Sequence, residues 1–249
     1  MLDVGWVAGY LGVSEVTVYR WLREGRLPAM KVGRQWRFRR SAIEEFLSLN
    51  ERSTTLVGQL RAFLEIPDNV LGLAQDLRLL QRLDAAFFMV GEARGGTLVK
   101  FIGPYTEDTA DELRVGWEKE GLEVGRLEKE GRLIFAKEDE LGDDGRVDAL
   151  RQVLSERREE GRTLWASFDW SKGVDPDEAL GHQVAMTRFV QGGEERQQQQ
   201  VAVMTGIVDE EMDEWSIATQ RRTATSHLGI VWISEEGLVL SRAAPLPRA

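Results

Sequence analysis

The chain has 249 residues, 42% hydrophobic and 30% charged, a balance that supports a real core in one large domain or two ordinary ones. It holds no cysteine and only two histidines, which excludes disulfides, thiolate zinc sites and histidine-rich metal centres, and no cofactor is expected. The net charge is −10, yet residues 1–50 carry eight Lys/Arg against five Asp/Glu, so a basic head precedes an acidic body.

The opening "MLDVGWVAGY" lacks the basic region and apolar run of a signal peptide. The longest apolar stretch, "AAFFMV" at 85–90, is far short of a membrane span. The reading is a cytoplasmic protein with no membrane partner.

In "DVGWVAGYLG", Val4, Val7, Ala8 and Leu11 fall on one helical face, and Gly12 stands where a helix-ending glycine belongs. Ser14 reads as the N-cap of a second helix running to about Arg23 and ended by Gly25 and Pro28. At about 100° per residue, Val18, Trp21 and Leu22 share its inner face, while Val16, Thr17, Arg20 and Arg23 turn away. In "MKVGRQWRF", a three-residue loop from Gly33 to Gln35 would join two strands, with Met30, Val32, Trp36 and Phe38 on one face and Lys31 and Arg37 on the other. Ser41, with Glu44 in the capping-box position, is expected to open a closing helix that buries Ile43, Phe46 and Leu47.

The order helix, turn, helix, hairpin, helix in "LGVSEVTVYRWLREGRLPAMKVGRQWRFRRSAIEEFL" resembles the winged helix-turn-helix of the excisionase and MerR-like DNA-binding family. The resemblance covers roughly residues 3–49. It implies that the second helix enters the major groove of double-stranded DNA and the wing tracks the backbone. On that resemblance Val16, Thr17, Arg20 and Arg23 lie at the groove, and Lys31, Arg34, Gln35 and Arg37 lie near phosphates. Guanidinium groups read guanine edges, a valine touches a thymine methyl, and wing cations gain affinity by releasing counterions.

From Ser53 to Leu83 the apolar residues Leu56, Leu60, Phe63 and Leu64, then Val70, Leu73, Leu77 and Leu80, run at three-four spacing toward Asp84, interrupted by "IPDN" at 66–69. This reads as two helices around Pro67, a helical linker over 51–84 whose short stripe suits either pairing between subunits or internal packing. Symmetric DNA sites favour a homodimer.

Beyond Asp84 strands and helices alternate. "AAFFMV", "TLVKFIG", "RLIFA", "TLWASFDW" and "QQVAVMTGIV" read as strands, and "GIVWIS" with "GLVLSR" as a closing hairpin. The intervening "EDTADELRVGWEKEG", "RVDALRQVLSERREEG", "DPDEALGHQVAMTRFVQ" and "DEEMDEWSIATQRRTATSH" read as helices. Strands apolar on both faces belong to a sheet buried between helices, so residues 85–249 are expected to form a three-layer α/β domain.

An enzyme is not expected. "GEARGGT" spaces Gly91 and Gly96 as a phosphate loop would, but Thr97 stands where lysine is required, and "LVKFIG" reads as strand rather than helix. No serine or cysteine nucleophile has a recognisable elbow, so no triad is available. Asp169 and Trp170, at the end of "TLWASFDW", and His227, just before "GIVWIS", lie where ligands of α/β sheets commonly sit, and Trp232 joins them as a ligand-site candidate. These four would line a pocket for a small, largely apolar ligand.

The order from "SFDW" through "EALGHQVAMTRFV" and "VAVMTGIV" to histidine and "GIVWIS" resembles the MEDS sensory domain, a RecA-like α/β domain without working nucleotide chemistry, thought to sense small hydrocarbon-derived ligands. That family usually begins with a histidine-containing strand, and "TLVKFIGPY" has none. The reading is thus a transcriptional regulator that binds a specific DNA site through residues 1–50 and receives a ligand or protein signal through its body. An excisionase-like architectural DNA-binding protein and a DNA-tethered protein-interaction module are the alternatives.

Overall fold

The computed structural model describes residues 2–23, 25, 27–33, 35–44, 55–103, 106–138, 146–157, 161–170, 175–192, 200–213 and 215–242. The chain divides into two units, Met1–Thr54 and Thr55–Ala249.

In the first unit, α1 (Val4–Leu11) is capped by Asp3, whose side chain accepts from the Trp6 amide, and ends at Gly12 with φ 65°, a left-handed conformation that glycine adopts at no steric cost. The second helix, α2 (Glu15–Arg23), starts at Ser14, whose Oγ accepts from the Thr17 amide at 3.3 Å. Val7, Val18, Phe38 and Ile43 are fully buried at the centre of this unit, with Trp21, Leu22 and Trp36 packed against them. Both tryptophans are thus core residues.

The wing differs from the sequence-based expectation. Strands β1 (Met30–Val32) and β2 (Gln35–Arg37) pair with Val32 opposite Gln35, so two residues, 33 and 34, separate the strands instead of three. One residue of register exchanges faces. Lys31 now lies beside Trp36, its ammonium 5.9 Å from the ring centroid, while Met30, Val32 and Arg37 share the opposite face. Phe38 bridges back to Leu2 through two 2.9 Å backbone bonds. The closing helix starts earlier than Ser41: residues 40–44 are helical, and Arg39 accepts the first backbone bonds, from Ala42 and Ile43. Glu44 pairs with Arg40 at 3.1 Å rather than closing a capping box. Phe46 and Leu47 lie outside the described residues.

The second unit is a seven-stranded sheet between helices, ordered β5-β4-β6-β7-β3-β8-β9. Its strands are β3 (Asp68–Ala74), β4 (Thr97–Ile102), β5 (Leu133–Lys137), β6 (Leu164–Asp169), β7 (Val201–Val208), β8 (Gly229–Ser234) and β9 (Gly237–Arg242). All pair in parallel except β9, which closes a hairpin with β8. On one face pack α3 (Leu56–Phe63), α4 (Leu77–Ala93), α5 (Ala110–Glu120) and α6 (Val124–Lys129). On the other lie α7 (Arg146–Glu156) and α8 (Pro176–Gln191). Neighbouring strand residues divide between the two cores as the pleat requires: Leu98 and Trp165 face one, Val99 and Ala166 the other. The three-layer α/β expectation holds.

The helical linker over 51–84 does not. Residues 55–84 belong to this unit and contribute α3, the inner strand β3 and the first half of α4. Val70 and Leu73 lie on that strand, so their spacing is no helical stripe. "AAFFMV" is correspondingly not a strand but the middle of α4, apolar nearly all round because it is wedged between the sheet and the helices α3 and α5. The segment expected as one helix after β7 is two, α9 (Asp209–Asp213) and α10 (Ile217–Thr225), the latter capped by Ser216. Helix α6 had no counterpart in the sequence-based reading.

"GEARGGT" is the turn from α4 into β4. A Cβ on Gly91 would stand 2.5 Å from the Trp165 ring, and one on Gly96 2.4 Å from it, so both glycines make room for a buried indole. Gly181, equally interior to its helix α8, meets nothing within 4 Å. Alanine at 91 should cost about 1–3 kcal/mol through overpacking, whereas alanine at 181 should gain about 0.5–1 kcal/mol from helix propensity. Urea unfolding of the two variants checks this, and equal effects would show that Trp165 is not what demands Gly91.

Candidate functional site

The outward face of α2 carries Val16, 74% exposed, and Tyr19, 44% exposed, together with exposed Arg20 and Arg23. Thr17 is half-buried, its hydroxyl 3.0 Å from Ser14 Oγ, so it serves the helix start as much as the surface. Tyr19 was missed in the sequence reading, although it sits three residues after Val16 and four before Arg23, where the period puts it on the same face. On the wing, Lys31 and Gln35 are exposed. Arg37 is half-buried and donates to Gln35 Oε1 and to the Trp36 carbonyl. Arg34 lies outside the described residues. The structure therefore gathers Val16, Arg20 and Arg23 on one surface and Lys31 with Gln35 on the wing. Arg37, directly opposite Met30, lies on the other face of the wing from Lys31, which corrects the shared face expected for the two.

In the α/β unit, the strand ends hold a buried ion network that the sequence reading did not find. Lys100, 1% exposed in β4, donates at 2.7 Å to Asp84 on α4 and at 2.7 Å to Asp169 at the end of β6. Ser167 Oγ donates to Asp84 at 2.6 Å. Burial opposes charge on Lys100, but the two carboxylates outweigh it and hold the ammonium above its ordinary range. Burial lifts the Asp84 carboxyl, assisted by the charge of Asp169 and opposed by Lys100. Behind them Arg146, also 1% exposed, bonds Glu138 at 2.6 Å and donates to the Asp169 carbonyl. A lysine inside the apolar run "TLVKFIG" was the available signal.

The four ligand candidates do not converge. Asp169 and Trp170 line one strand-end cleft, and Trp170 packs on Trp215 with ring centroids 5.1 Å apart. His227 is 1% exposed in a separate polar cluster, with Nδ1 2.9 Å from the Thr223 carbonyl and Nε2 facing Gln183 Oε1 at 3.3 Å. Trp232 donates from Nε1 to Asp209 at 2.8 Å on the surface. Neither lines the cleft, which corrects the four-residue pocket: His227 precedes its strand, while Asp169 and Trp170 follow theirs, at the other end of a parallel sheet.

Residues 1–48 match the family model described as a helix-turn-helix domain. The N-terminal unit thus carries a helix-turn-helix domain. Two proteins of Mycobacterium tuberculosis, from strains CDC 1551 / Oshkosh and ATCC 25618 / H37Rv, each named "Putative DNA-binding protein", are 43% identical to this chain over 47 residues. The match takes in 19% of this chain and spans 60% of the length of each of those relatives. No helix among the described residues is long and apolar enough to cross a membrane.

Replacing Lys100 with methionine should cost about 3–5 kcal/mol, because two inner carboxylates lose their counter-ion, and Lys100→Met/Asp84→Leu should regain much of that loss. Equal instability of the single and double variants would refute the ion-pair account. His227 yields a pH signature. Burial holds its pKa down at about 4 against an ordinary 6.5, so the unfolded chain binds a proton first. Stability from this group is complete above pH 6.5 and is lost as pH falls toward 4, by about 3 kcal/mol in all. Asp84 and Glu138, lifted by burial, act in the opposite sense, so the difference between wild type and His227→Gln across this range isolates the histidine.

Proposed function

We propose that this chain is a sequence-specific DNA-binding transcriptional regulator whose α/β body receives a signal. The observation that carries the reading is the exposed basic face of α2 within a helix-turn-helix unit of an otherwise acidic chain. The names of the two mycobacterial relatives agree with it. Val16, Tyr19, Arg20 and Arg23 enter the major groove, and Lys31 with Gln35 approaches the backbone. One such head covers a single half-site, so the working species is a homodimer on a two-fold site.

The excisionase-like alternative leaves the α/β unit without a task, and that unit makes up most of the chain. We assign no nucleotide chemistry to it. The turn from β3 into α4 is two residues long, and Asp76 fills the head of the helix, its carboxylate accepting from the Leu79 amide at 2.7 Å. A helix start already capped by a carboxylate repels phosphate. The resemblance to the MEDS domain fits a receiving role, and the strand-end cleft supplies a place for it.

Arg20→Ala should weaken binding to the cognate site by about 1–3 kcal/mol while leaving scrambled DNA nearly unaffected. Lys31→Ala should weaken both equally and lower the salt slope by about one. Equilibrium titrations at several salt concentrations, on cognate and scrambled duplexes, decide this. Identical profiles for the two variants would remove the division between groove and backbone.

A further inference from the structure

Resting on the reading of the head as a DNA-binding unit, we propose that Arg37 is a positioning residue of the wing, which fixes the amide of Gln35 as a hydrogen-bond donor toward the DNA phosphates and makes no phosphate contact of its own. The juxtaposition follows from the strand. Gln35 and Arg37 are two apart on β2, so both side chains stand on one face, beside Val32 and Met30 of β1. Arg37 is half-buried there, whereas Gln35 is exposed. The Arg37 guanidinium spends its fork inside the wing: Nη1 donates to the Trp36 carbonyl at 3.3 Å, and Nη2 donates to Gln35 Oε1.

Chemistry decides which way the Gln35 amide points. A guanidinium carries five donors and no acceptor, so the amide atom that faces it is the oxygen. With that oxygen taken, the amide presents its two N–H bonds on the other side, and its nitrogen bonds none of the described residues. The group is left as a donor. A phosphate oxygen is an acceptor, so this is the orientation that DNA needs, and the reversed amide would set one oxygen against another. A glutamine without Arg37 samples both orientations and has more side-chain freedom to lose on binding. The charged donor also polarises the amide, which strengthens its N–H groups.

Lys31 is held separately. It lies on the other face of the wing beside Trp36, its ammonium 5.9 Å from the ring centroid. It therefore serves as an internal control, because a wing that keeps its shape keeps the Lys31 contribution whatever is changed on the Gln35 face.

Phosphate contacts carry no sequence information, so the test needs no operator: the full chain is titrated with mixed-sequence duplex DNA at several salt concentrations. Gln35→Ala and Arg37→Met should each lower affinity about two- to tenfold. The double variant should lose less than about twofold beyond Gln35→Ala, because both single changes remove the same contact. Lys31→Ala should weaken binding as much in Arg37→Met as in the wild type. Single losses that multiply in the double variant, full affinity in Arg37→Met, or a salt slope lowered by about one in Arg37→Met overturns the assignment, the last because Arg37 would itself touch phosphate. A Lys31→Ala change without further effect in Arg37→Met also overturns it, since the whole wing has then collapsed. Failure of the wild-type chain to bind any duplex removes the DNA-binding reading itself, whereas wild-type binding with independent losses removes the positioning role alone.

Discussion

An ammonium with almost no access to water, Lys100, lies in the middle of a strand whose neighbours are apolar, and the carboxyl end of the sheet is organised around it. Such a charge is tolerable only when paired, so Asp84 must come from α4 and Asp169 from β6, and α4 must cross the sheet at the height that brings Asp84 within reach. Asp169 in turn gives its carbonyl to Arg146, which is matched by Glu138. Three strands and two helices are thereby held in one register by charges that no single element satisfies. The network is costly to break and adds little over a well-packed apolar core, so its presence is better understood as fixing geometry at the strand ends than as adding stability.

The same edge explains why the cleft is acidic. Two carboxylates are needed to hold one lysine, which leaves the site with surplus negative charge before the rim is considered. Burial then shifts the Asp84 carboxyl upward, since full ionisation of both acids beside one ammonium is unfavourable. Two of the acids that line the cleft, Asp84 and Asp169, are the partners of the buried cation beneath it.

Much of the architecture was legible because period and punctuation agree. Asp3, Gly12, Ser14 and Gly25 bracket two helices by local backbone chemistry alone, and β4 to β9 announce themselves as short apolar runs between polar helices. Two failures share one cause. "NVLGLA" and "AAFFMV" are both largely buried, and periodicity carries no information where no face is polar, so β3 reads as helix and the middle of α4 as strand. The wing failed for a different reason: whether two or three residues make its turn cannot be read from glycine alone, and one residue exchanges every side chain between faces. Lys100, Asp84 and Asp169 are 16 and 69 residues apart along the chain, so no local pattern connects them. The exposed face of α2 was mostly legible because a surface helix obeys its period, and Tyr19 was passed over only because charge drew attention to its neighbours.

A basic head joined to a body of net −13, from 24 Lys/Arg and 37 Asp/Glu in residues 51–249, constrains how a signal could reach DNA. The body's own field disfavours phosphate, which leaves phosphate contacts to the basic residues of the head. A ligand at the strand ends then matters only through its different affinity for arrangements that bind DNA and arrangements that do not. A tenfold change in DNA affinity would require about 1.4 kcal/mol of such difference. Asp169 belongs at once to the lining of the strand-end cleft and to the buried network that ties α4 to β4 and β6, so the charge of the cleft and the packing of α4 on the sheet share one carboxylate.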